Sequence, residues 1–322
     1  MTSAKHPKQS RPVIMITGPT ASGKTALAHA IAKAGNTEII SADSRQVYRG
    51  MDIGTAKPSG EMLDEVPYHF ISEKEIEEEY NAGSFTSDAL LRIRSIHEKG
   101  HDVLVVGGST LYIQGLLHGF SELPQKDHET RRKLREELKA AGANALYERL
   151  KSIDPEQAAT LDPSKTQRLV RSLEIITITG KTVTELKSSE KTRQPPFKFI
   201  PFGLSLPRNV LYTRIDKRTE EMMASGLLEE AQQLYMLYRA AETRGIINAL
   251  ETVGYKELFQ YFDGIHSLQR AIELIQQHTR NYAKRQLTFF KNRLNVQWLA
   301  APDNRGNLET LVQKLRILYS KT

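Results

Sequence analysis

Residues 18–25, Gly18-Pro-Thr-Ala-Ser-Gly-Lys-Thr25, match the phosphate-binding pattern G-x-x-x-x-G-K-[ST] at every fixed position. The apolar run 13–17 predicts a buried strand before this loop, and 26–33 predicts a helix directly after it. A glycine-rich turn between a strand and a helix lets backbone N–H groups surround phosphate oxygens at the positive end of the helix dipole. The sequence therefore predicts a phosphate-binding loop in which Lys24 contacts a terminal phosphate and Thr25 can bind Mg²⁺.

Predicted strands and helices alternate through the first third of the chain. Apolar runs at 38–42 and 101–106 predict two further buried strands, and the apolar spacing within 85–99 predicts a helix between them. This alternation is typical of a parallel sheet that is covered by helices on both faces.

A charged, alanine-rich stretch at 121–165 has no strand pattern and interrupts the alternation. It predicts an inserted helical subdomain. A helix at 167–177 and a strand at 199–206 then return to the core, and the chain beyond Leu211 is predicted to be entirely helical. The predicted division is a first core segment, the insertion, a second core segment and a C-terminal helix, at 11–120, 121–165, 166–300 and 301–322.

Composition limits the class of protein. The 322 residues contain no cysteine, which excludes a thiol nucleophile, a disulfide scaffold and a Cys-ligated metal, and this fits a reducing cytoplasm. No apolar run approaches the roughly 18 residues of a membrane helix, and the polar, basic N-terminus shows no signal-peptide pattern. The net charge of +7 favours a polyanionic partner. We expect a cytoplasmic monomer with no membrane contact.

The second acid of a P-loop NTPase is missing from its usual place. Such enzymes carry a Mg²⁺-binding Asp after a hydrophobic strand, but the strand 103–106 is followed by Gly107 and Gly108. Asp43 instead follows the strand 38–42, where it would lie beside the phosphate loop. A carboxylate there can act as a general base or an outer metal ligand, and the alternative role is a turn cap.

Six blocks of the sequence resemble the bacterial tRNA dimethylallyltransferase family, in the family's order and across nearly the whole chain. The phosphate loop alone would be unspecific, whereas the 41–58 block together with the others is specific. Ser109 stands where the family more often has threonine, and it keeps the hydroxyl. The blocks are Gly18–Thr25, Ser41–Pro58, Gly107–Tyr112, Gln167–Glu174, Thr252–Leu258 and Thr279–Thr288.

The resemblance implies transfer of the dimethylallyl group of dimethylallyl diphosphate to the N6 amine of the adenosine 3′-adjacent to the tRNA anticodon, with release of diphosphate. It also implies an α/β fold, with a P-loop kinase-like parallel sheet flanked by helices, an all-helical insertion and a helical C-terminal part. Asp43 would take the amine proton, Arg218 would hold the diphosphate from a lid, and Thr20 would complete the catalytic set. The diphosphate, with Mg²⁺ at Thr25, would be bound by Gly18, Pro19, Thr20, Ala21, Ser22, Gly23, Lys24 and Thr25.

Contacts with the tRNA anticodon stem-loop are predicted from two sources. The family blocks that contact the target nucleotide and its neighbours match Asp43, Ser44, Arg45, Gln46, Ser109, Gln167, Arg168, Leu169, Val170 and Arg171. Independently, no acid lies between Glu273 and Asp303, and Arg280 and Lys284 share one face of the helix predicted there. Arg131 begins a second basic patch, in the insertion. Both patches predict salt-dependent tRNA binding, with ordinary surface helices as the alternative.

Two other classes remain compatible with the phosphate loop. In a small-molecule or nucleotide kinase, the Arg214 and Arg218 pair at i and i+4 would form the lid, and a nucleoside triphosphate would be the donor. A non-catalytic RNA-binding ATPase switch should carry a Mg²⁺-binding acid after Val106, which this sequence lacks. Transfer from ATP to a small acceptor would favour the kinase, and RNA-stimulated ATP hydrolysis would favour the switch.

Overall fold

The computed structural model describes residues 11–120, 123–124, 126–188, 195–239 and 247–320. The basic N-terminal stretch 1–10 and the first residues of the predicted insertion, 121–122, lie outside the described residues. The chain divides into two compact units, which we call unit 1 (Met1–Leu117 and Pro195–Thr322) and unit 2 (His118–Gln194). Among the described residues, no helix is long and apolar enough to cross a membrane.

The described part of unit 1 contains a six-stranded, all-parallel sheet with strand order β3-β2-β4-β1-β5-β6. This confirms the predicted α/β fold with a parallel sheet flanked by helices. The strands are β1 Val13–Thr17, β2 Thr37–Ser41, β3 Tyr68–His69, β4 Asp102–Gly107, β5 Phe199–Ser205 and β6 Gln297–Ala300.

Helices cover the sheet on both faces in unit 1 and make up all the regular structure of unit 2 in the described residues. In unit 1 they are α1 Lys24–Lys33, α2 Gly60–Glu65, α3 Ala82–Glu98, α4 Thr110–His118 (whose last residue opens unit 2), α9 Arg208–Ala224, α10 Leu227–Arg239, α11 Tyr255–Phe262, α12 Leu268–Arg293 and α13 Arg305–Ser320. In unit 2 they are α5 His128–Ile153, α6 Pro155–Ala159, α7 Thr166–Thr179 and α8 Val183–Ser188.

The side chains of the central strands alternate between two apolar layers. Val13 and Met15 of β1 pack in the layer that contains residues of α3, α4 and α10 to α12. Ile14 and Ile16 pack in the opposite layer, which contains residues of α1 and α13. Successive residues of a strand point to opposite faces, so a continuous apolar run is the pattern of a sheet buried on both sides.

The strand register places the segments that carry the predicted site residues side by side at the carboxyl-terminal end of the sheet. Thr17 at the end of β1 is level with Gly107 of β4 and Gly203 of β5, and Ser41 at the end of β2 is level with Val106. The segments that follow β1, β2 and β4 therefore leave the sheet side by side.

Two strands were not predicted. The prediction that the chain beyond Leu211 is entirely helical is wrong for Gln297–Ala300, because this segment pairs with β5 as the edge strand β6. β6 is only four residues long, and none of its residues is fully buried. Because of this, its local sequence has no hydrophobic pattern that separates it from the preceding helix. The two-residue β3 is likewise defined by its pairing with β2.

Unit 2 has a core of its own. Leu134, Leu146 and Leu150 of α5 pack with Leu169 and Leu173 of α7, and all five are buried. The compact unit therefore extends past the 121–165 segment expected from the sequence. The amphipathic helix α7, assigned there to the second core segment, buries its apolar face against α5 instead.

Candidate active site

The phosphate loop has the backbone that its glycines permit. Gly18 has φ +144°, and a Cβ there would lie 2.9 Å from the carbonyl oxygen of Leu204 in β5. Gly23, with φ +89°, is the N-cap of α1 and supplies no capping side chain, so the first N–H groups of the helix face the loop. The hydroxyls of Thr17 and Ser22 are buried without a partner in the described residues. This donor set suits phosphate oxygens.

Lys24 lies within the loop, where burial disfavours the protonated form of its amine. Its Nζ donates a hydrogen bond to the carbonyl oxygen of Pro19 at 2.6 Å. Burial, reinforced by the nearby positive charge of Arg218, lowers the pKa of Lys24 to about 7, while the Asp43 carboxylate acts in the opposite direction. Two cations crowded into a half-buried space favour the binding of an anion between them.

Arg218 reaches the loop from α9. Its guanidinium donates to the hydroxyl of Thr20 at 3.3 Å. Burial lowers the pKa of Arg218, against the opposing charges of Asp43 and Glu221. The structure therefore brings all three predicted catalytic residues, Asp43, Thr20 and Arg218, to the same edge of the sheet.

The hydrogen bonds of Asp43 are compatible with both of the roles that the sequence left open, turn cap and general base. Its Oδ1 accepts the backbone N–H of Arg45 at 2.9 Å and that of Gln46 at 3.4 Å, which is the turn-capping arrangement. Its Oδ2 accepts no hydrogen bond from the described residues. One carboxylate oxygen thus holds the turn, and the other is free for a substrate proton.

The neighbouring predicted tRNA contacts are engaged within the protein. The Ser109 hydroxyl accepts the Ser44 N–H at 2.8 Å. The Gln46 amide donates to the carbonyls of Thr55 and Ala56 at 3.1 and 3.0 Å, and its oxygen accepts the Ser41 hydroxyl at 3.1 Å. These two side chains shape the segment that carries Asp43.

Arg45 also bonds inside the protein while remaining partly exposed. Its guanidinium donates to the backbone carbonyl of Asn248 at 2.8 Å. Because a guanidinium has five N–H donors, this contact leaves donors for a further acceptor.

Gln286 of α12 was not singled out from the sequence, although it lies in the 279–288 block. Its side-chain oxygen accepts the N–H of Thr20 at 2.9 Å, and its amide donates to the carbonyl of Gly108 at 2.8 Å. The side chain is buried. Gln286 therefore ties the phosphate loop to the end of β4, and the Thr20 N–H is unavailable to a phosphate.

Glu230 of α10 was also missed, since nothing in its local sequence marks it. Its carboxylate accepts the N–H groups of Asp52, Ile53 and Gly54 at 2.8 to 2.9 Å and the Tyr255 hydroxyl at 2.6 Å. Three of these four donors belong to the 52–54 segment, so the Glu230 carboxylate holds that segment in place.

Of the two residues predicted on the basic helix, only Lys284 has no anionic partner among the described residues. Arg280 forms a short ion pair with Asp216 of α9. Lys284 is exposed, and no carboxylate of the described chain lies within salt-bridge distance of it.

The predicted tRNA contacts in unit 2 fall into three groups. Gln167 and Arg168 lie on α7, where Arg168 is exposed and Gln167 is partly exposed. Leu169 and Val170 are buried in the core of unit 2, so their side chains have a packing role and do not reach solvent. Arg131 donates to the fully buried Glu174 at 2.6 Å, and Arg171 donates to the same carboxylate at 3.0 Å.

Comparisons with known proteins agree on one family. The model of the IPP transferase family matches residues 46–293. A tRNA dimethylallyltransferase of Chlorobium phaeobacteroides is 74% identical over the whole length of both chains, and one of Chlorobaculum parvum is 55% identical over 95% of this chain and 97% of its own.

Solved structures give the same result. A full-length tRNA isopentenylpyrophosphate transferase from Bacillus halodurans is similar with a TM-score of 0.70 and 36% identity, covering 97% of both chains. A eukaryotic dimethylallyltransferase, captured acting on tRNA, is similar with a TM-score of 0.79 and 30% identity over 91% of this chain and 75% of its own.

Proposed function

This chain belongs to the tRNA dimethylallyltransferase (IPP transferase) family, and we propose that it performs the family's reaction with Asp43, Lys24 and Arg218 around the phosphate loop. The reaction prenylates the adenosine that is 3′-adjacent to the anticodon, using dimethylallyl diphosphate as donor. The observation that supports these roles is the meeting of a free carboxylate oxygen with two half-buried cations at one edge of the sheet.

In the proposed transfer step, these charged groups stabilise the leaving group and accept the proton. The bond between the allylic carbon and the diphosphate oxygen breaks as the N6–carbon bond forms. Negative charge then develops on the leaving diphosphate, where Lys24, Arg218 and the N–H groups of the loop stabilise it. The amine proton passes to the free Oδ2 of Asp43. Adenine's amine is a weak nucleophile, so positioning of the two substrates contributes more than strong deprotonation.

The donor is proposed to bind together with Mg²⁺. Thr25 is the second residue of α1, and its half-buried hydroxyl makes no hydrogen bond with the described residues. A hydroxyl and diphosphate oxygens are the hard donors that Mg²⁺ prefers. When bound, the ion would help neutralise the charge of the departing diphosphate.

In unit 1, the proposed tRNA contacts near the target adenosine are Asp43, Ser44 and Arg45. In unit 2, Gln167, Arg168 and Arg171 are proposed to contact the tRNA. Gln46 and Ser109 act by shaping the 41–56 segment, since their hydrogen bonds are made inside the protein. The proposed substrate is the anticodon stem-loop of a tRNA.

The test is a transfer assay with radiolabelled dimethylallyl diphosphate, unmodified tRNA and either Mg²⁺ or EDTA. A parallel reaction contains labelled ATP in place of the prenyl donor. We expect label in tRNA only from the prenyl donor, and a large loss of rate in EDTA. Label moving from ATP to a small acceptor would instead support a kinase, and equal rates in EDTA would contradict the role of Mg²⁺.

A further inference from the structure

The segment 51–57 has a conformation that it does not favour by itself. Ala56 has a φ of +48°, in the left-handed region that residues with a side chain rarely adopt. Gly54 packs so closely on Tyr255 that a Cβ there would lie 2.5 Å from the ring carbon that bears the hydroxyl. Backbone strain of this kind persists only where surrounding contacts hold the chain in place. The geometry of the segment therefore depends on contacts from outside it.

Glu230 of α10 accepts hydrogen bonds from three consecutive N–H groups of this segment. Its Oε2 accepts those of Asp52 and Ile53, and its Oε1 accepts that of Gly54, at 2.8 to 2.9 Å. Consecutive backbone N–H groups that converge on one place form an anion-binding concavity. Here the anion is a side chain of the same protein, and hydrogen bonds to a carboxylate are stronger than those to a neutral acceptor.

Tyr255 of α11 donates a fourth hydrogen bond to the same carboxylate. Its hydroxyl lies 2.6 Å from Oε1 of Glu230, and its side chain is fully buried. Burial, together with the negative charge of Glu230, raises the pKa of the Tyr255 hydroxyl, so this group stays protonated and donates. All four partners of the carboxylate are donors, which an amide NH₂ group could not satisfy. We call Glu230, Tyr255 and the N–H groups of 52–54 the Glu230 clamp.

Gln46 joins the clamped segment to the turn that contains Asp43. Its side-chain amide donates to the carbonyls of Thr55 and Ala56, directly after the clamped residues, at 3.1 and 3.0 Å. Its backbone N–H donates to Oδ1 of Asp43 at 3.4 Å. Because the Gln46 side chain is buried, a displacement of the 52–56 segment would also displace the turn.

We propose that Glu230 is a positioning residue for the transfer reaction and that it acts on Asp43 through the 52–56 segment and Gln46. The proposal rests on the proposed function, because it takes Asp43 as the acceptor of the amine proton. Glu230 itself contacts neither substrate. Transfer needs the reacting atoms in a near-attack geometry, and a misplacement of about 1 Å can lower the rate by about 10²-fold.

Glu230→Gln tests the proposal, because the amide has the shape of the carboxylate but presents an NH₂ group to the N–H donors. Its matched control is Glu229→Gln, the same change at the neighbouring, exposed position of α10. Tyr255→Phe removes one hydrogen bond of the clamp and keeps the carboxylate with its three N–H contacts. For each variant, kcat, the KM of both substrates, pyrophosphate binding by calorimetry and urea unfolding are measured.

The expected result is a loss in turnover that is separate from donor binding. Glu230→Gln should lower kcat by about 10²-fold. The KM for dimethylallyl diphosphate and the affinity for pyrophosphate should stay unchanged, because Gln286 holds the phosphate loop independently of the clamp. Intact pyrophosphate binding also shows that the variant is folded. Glu229→Gln should behave as wild type, and Tyr255→Phe should lower the free energy of unfolding without the loss of kcat.

Two further readouts separate positioning from a general loss of structure. If Glu230 acts through Asp43, Glu230→Gln lowers kcat in wild type and has little further effect in Asp43→Asn. The other readout needs no activity. Hydrogen exchange, followed by mass spectrometry, should become faster in residues 43–46 of Glu230→Gln as well as in residues 52–56.

Several outcomes would overturn the proposal. One is an unchanged kcat in Glu230→Gln, and another is an equal fall in kcat in wild type and in Asp43→Asn. A third is faster exchange at 52–56 with unchanged exchange at 43–46, since the clamp would then hold only its own segment. If wild type transfers no label to tRNA, the proposed function fails, and the exchange at 43–46 still shows whether the clamp holds the turn of Asp43.

Discussion

The side-chain oxygen of Gln286 accepts the backbone N–H of Thr20 at 2.9 Å, across 266 residues of sequence. The amide of the same side chain donates to the Gly108 carbonyl at 2.8 Å. One buried side chain of α12 therefore fixes the phosphate loop relative to β4, and the basic helix is part of the scaffold of the site.

Gln286→Leu should loosen the phosphate loop. The substitution removes the partner of the partly buried Thr20 N–H and of the buried Gly108 carbonyl, so we expect a loss of about 1–3 kcal/mol in the free energy of unfolding. Because the loop geometry changes, the KM for dimethylallyl diphosphate should rise more than the KM for tRNA. Urea unfolding and steady-state kinetics measure both effects. Gln277→Leu, an exposed position of the same helix, is the control; equal effects of the two substitutions would contradict the positioning role.

Asp43→Asn should act on turnover. Asparagine keeps an oxygen for the turn formed with Arg45 and Gln46, but it cannot accept the amine proton. We expect kcat to fall by about 10²–10⁴-fold, with little change in the KM for tRNA. Single-turnover transfer rates at saturating substrates provide the measurement. A rise in KM with kcat preserved would show that Asp43 binds substrate without acting as the base.

The affinity for the diphosphate should fall as the pH rises above about 7. The pKa of Lys24 is lowered to about 7 in the free protein, and a bound diphosphate raises it again, so binding above this pH takes up a proton. Linkage then weakens the affinity by up to about tenfold per pH unit above neutrality. Calorimetry with pyrophosphate in buffers of different ionisation enthalpy measures the proton uptake.

Lys24→Arg is the control for this pH dependence. Arginine stays charged throughout the range, so any remaining dependence belongs to the ligand itself. Identical pH profiles for wild type and Lys24→Arg would rule out the titration of Lys24 as the cause.

Glu174→Gln should destabilise unit 2. Burial opposes ionisation of this carboxyl, but hydrogen bonds from Arg131 and Arg171 outweigh it, and the net pKa of Glu174 is lowered. Removing the charge leaves two guanidinium groups without their carboxylate, at a cost of about 3 kcal/mol, the lower end for a buried pair because both arginines are partly exposed. The control Glu136→Gln breaks an exposed pair with Arg132 and should cost less than about 1 kcal/mol.

The ion pairs of Glu174 with Arg131 and Arg171 should stabilise the protein in a pH-dependent way. A lowered folded-state pKa means that the stability from Glu174 is fully present above its unfolded value of about 4.3, and is lost as the pH falls through the folded value. Urea unfolding at pH 7 and at pH 3 should therefore show a smaller difference between wild type and Glu174→Gln at pH 3. A difference that does not depend on pH would contradict the ionised state of Glu174.

Much of the site could be predicted from local sequence. The phosphate loop, Asp43 and Arg218 lie together as expected because each belongs to a short pattern at the end of a strand or on a helix that follows one. The register of parallel strands then brings these ends to one edge. The phosphate loop alone does not identify the reaction, and the family blocks were needed to predict the prenyl transfer.

For other residues, the environment in the structure differs from the one expected from the sequence. Arg131 and Leu169 lie in segments that match basic or family patterns, yet one pairs with a buried glutamate and the other packs in a helical core. A sequence pattern identifies the helix, but it does not say which face meets another helix.

The sequence by itself determined the alternating α/β architecture, the phosphate loop and the family, because these depend on residues close together along the chain. Only the tertiary structure decided that Gln286 holds Thr20, that Glu230 clamps the 52–54 segment and that residues 297–300 form a strand. A glutamine or glutamate has the same local preferences whether it is exposed or buried. Its role depends on donors that are distant in sequence, and only folding brings them within hydrogen-bond distance.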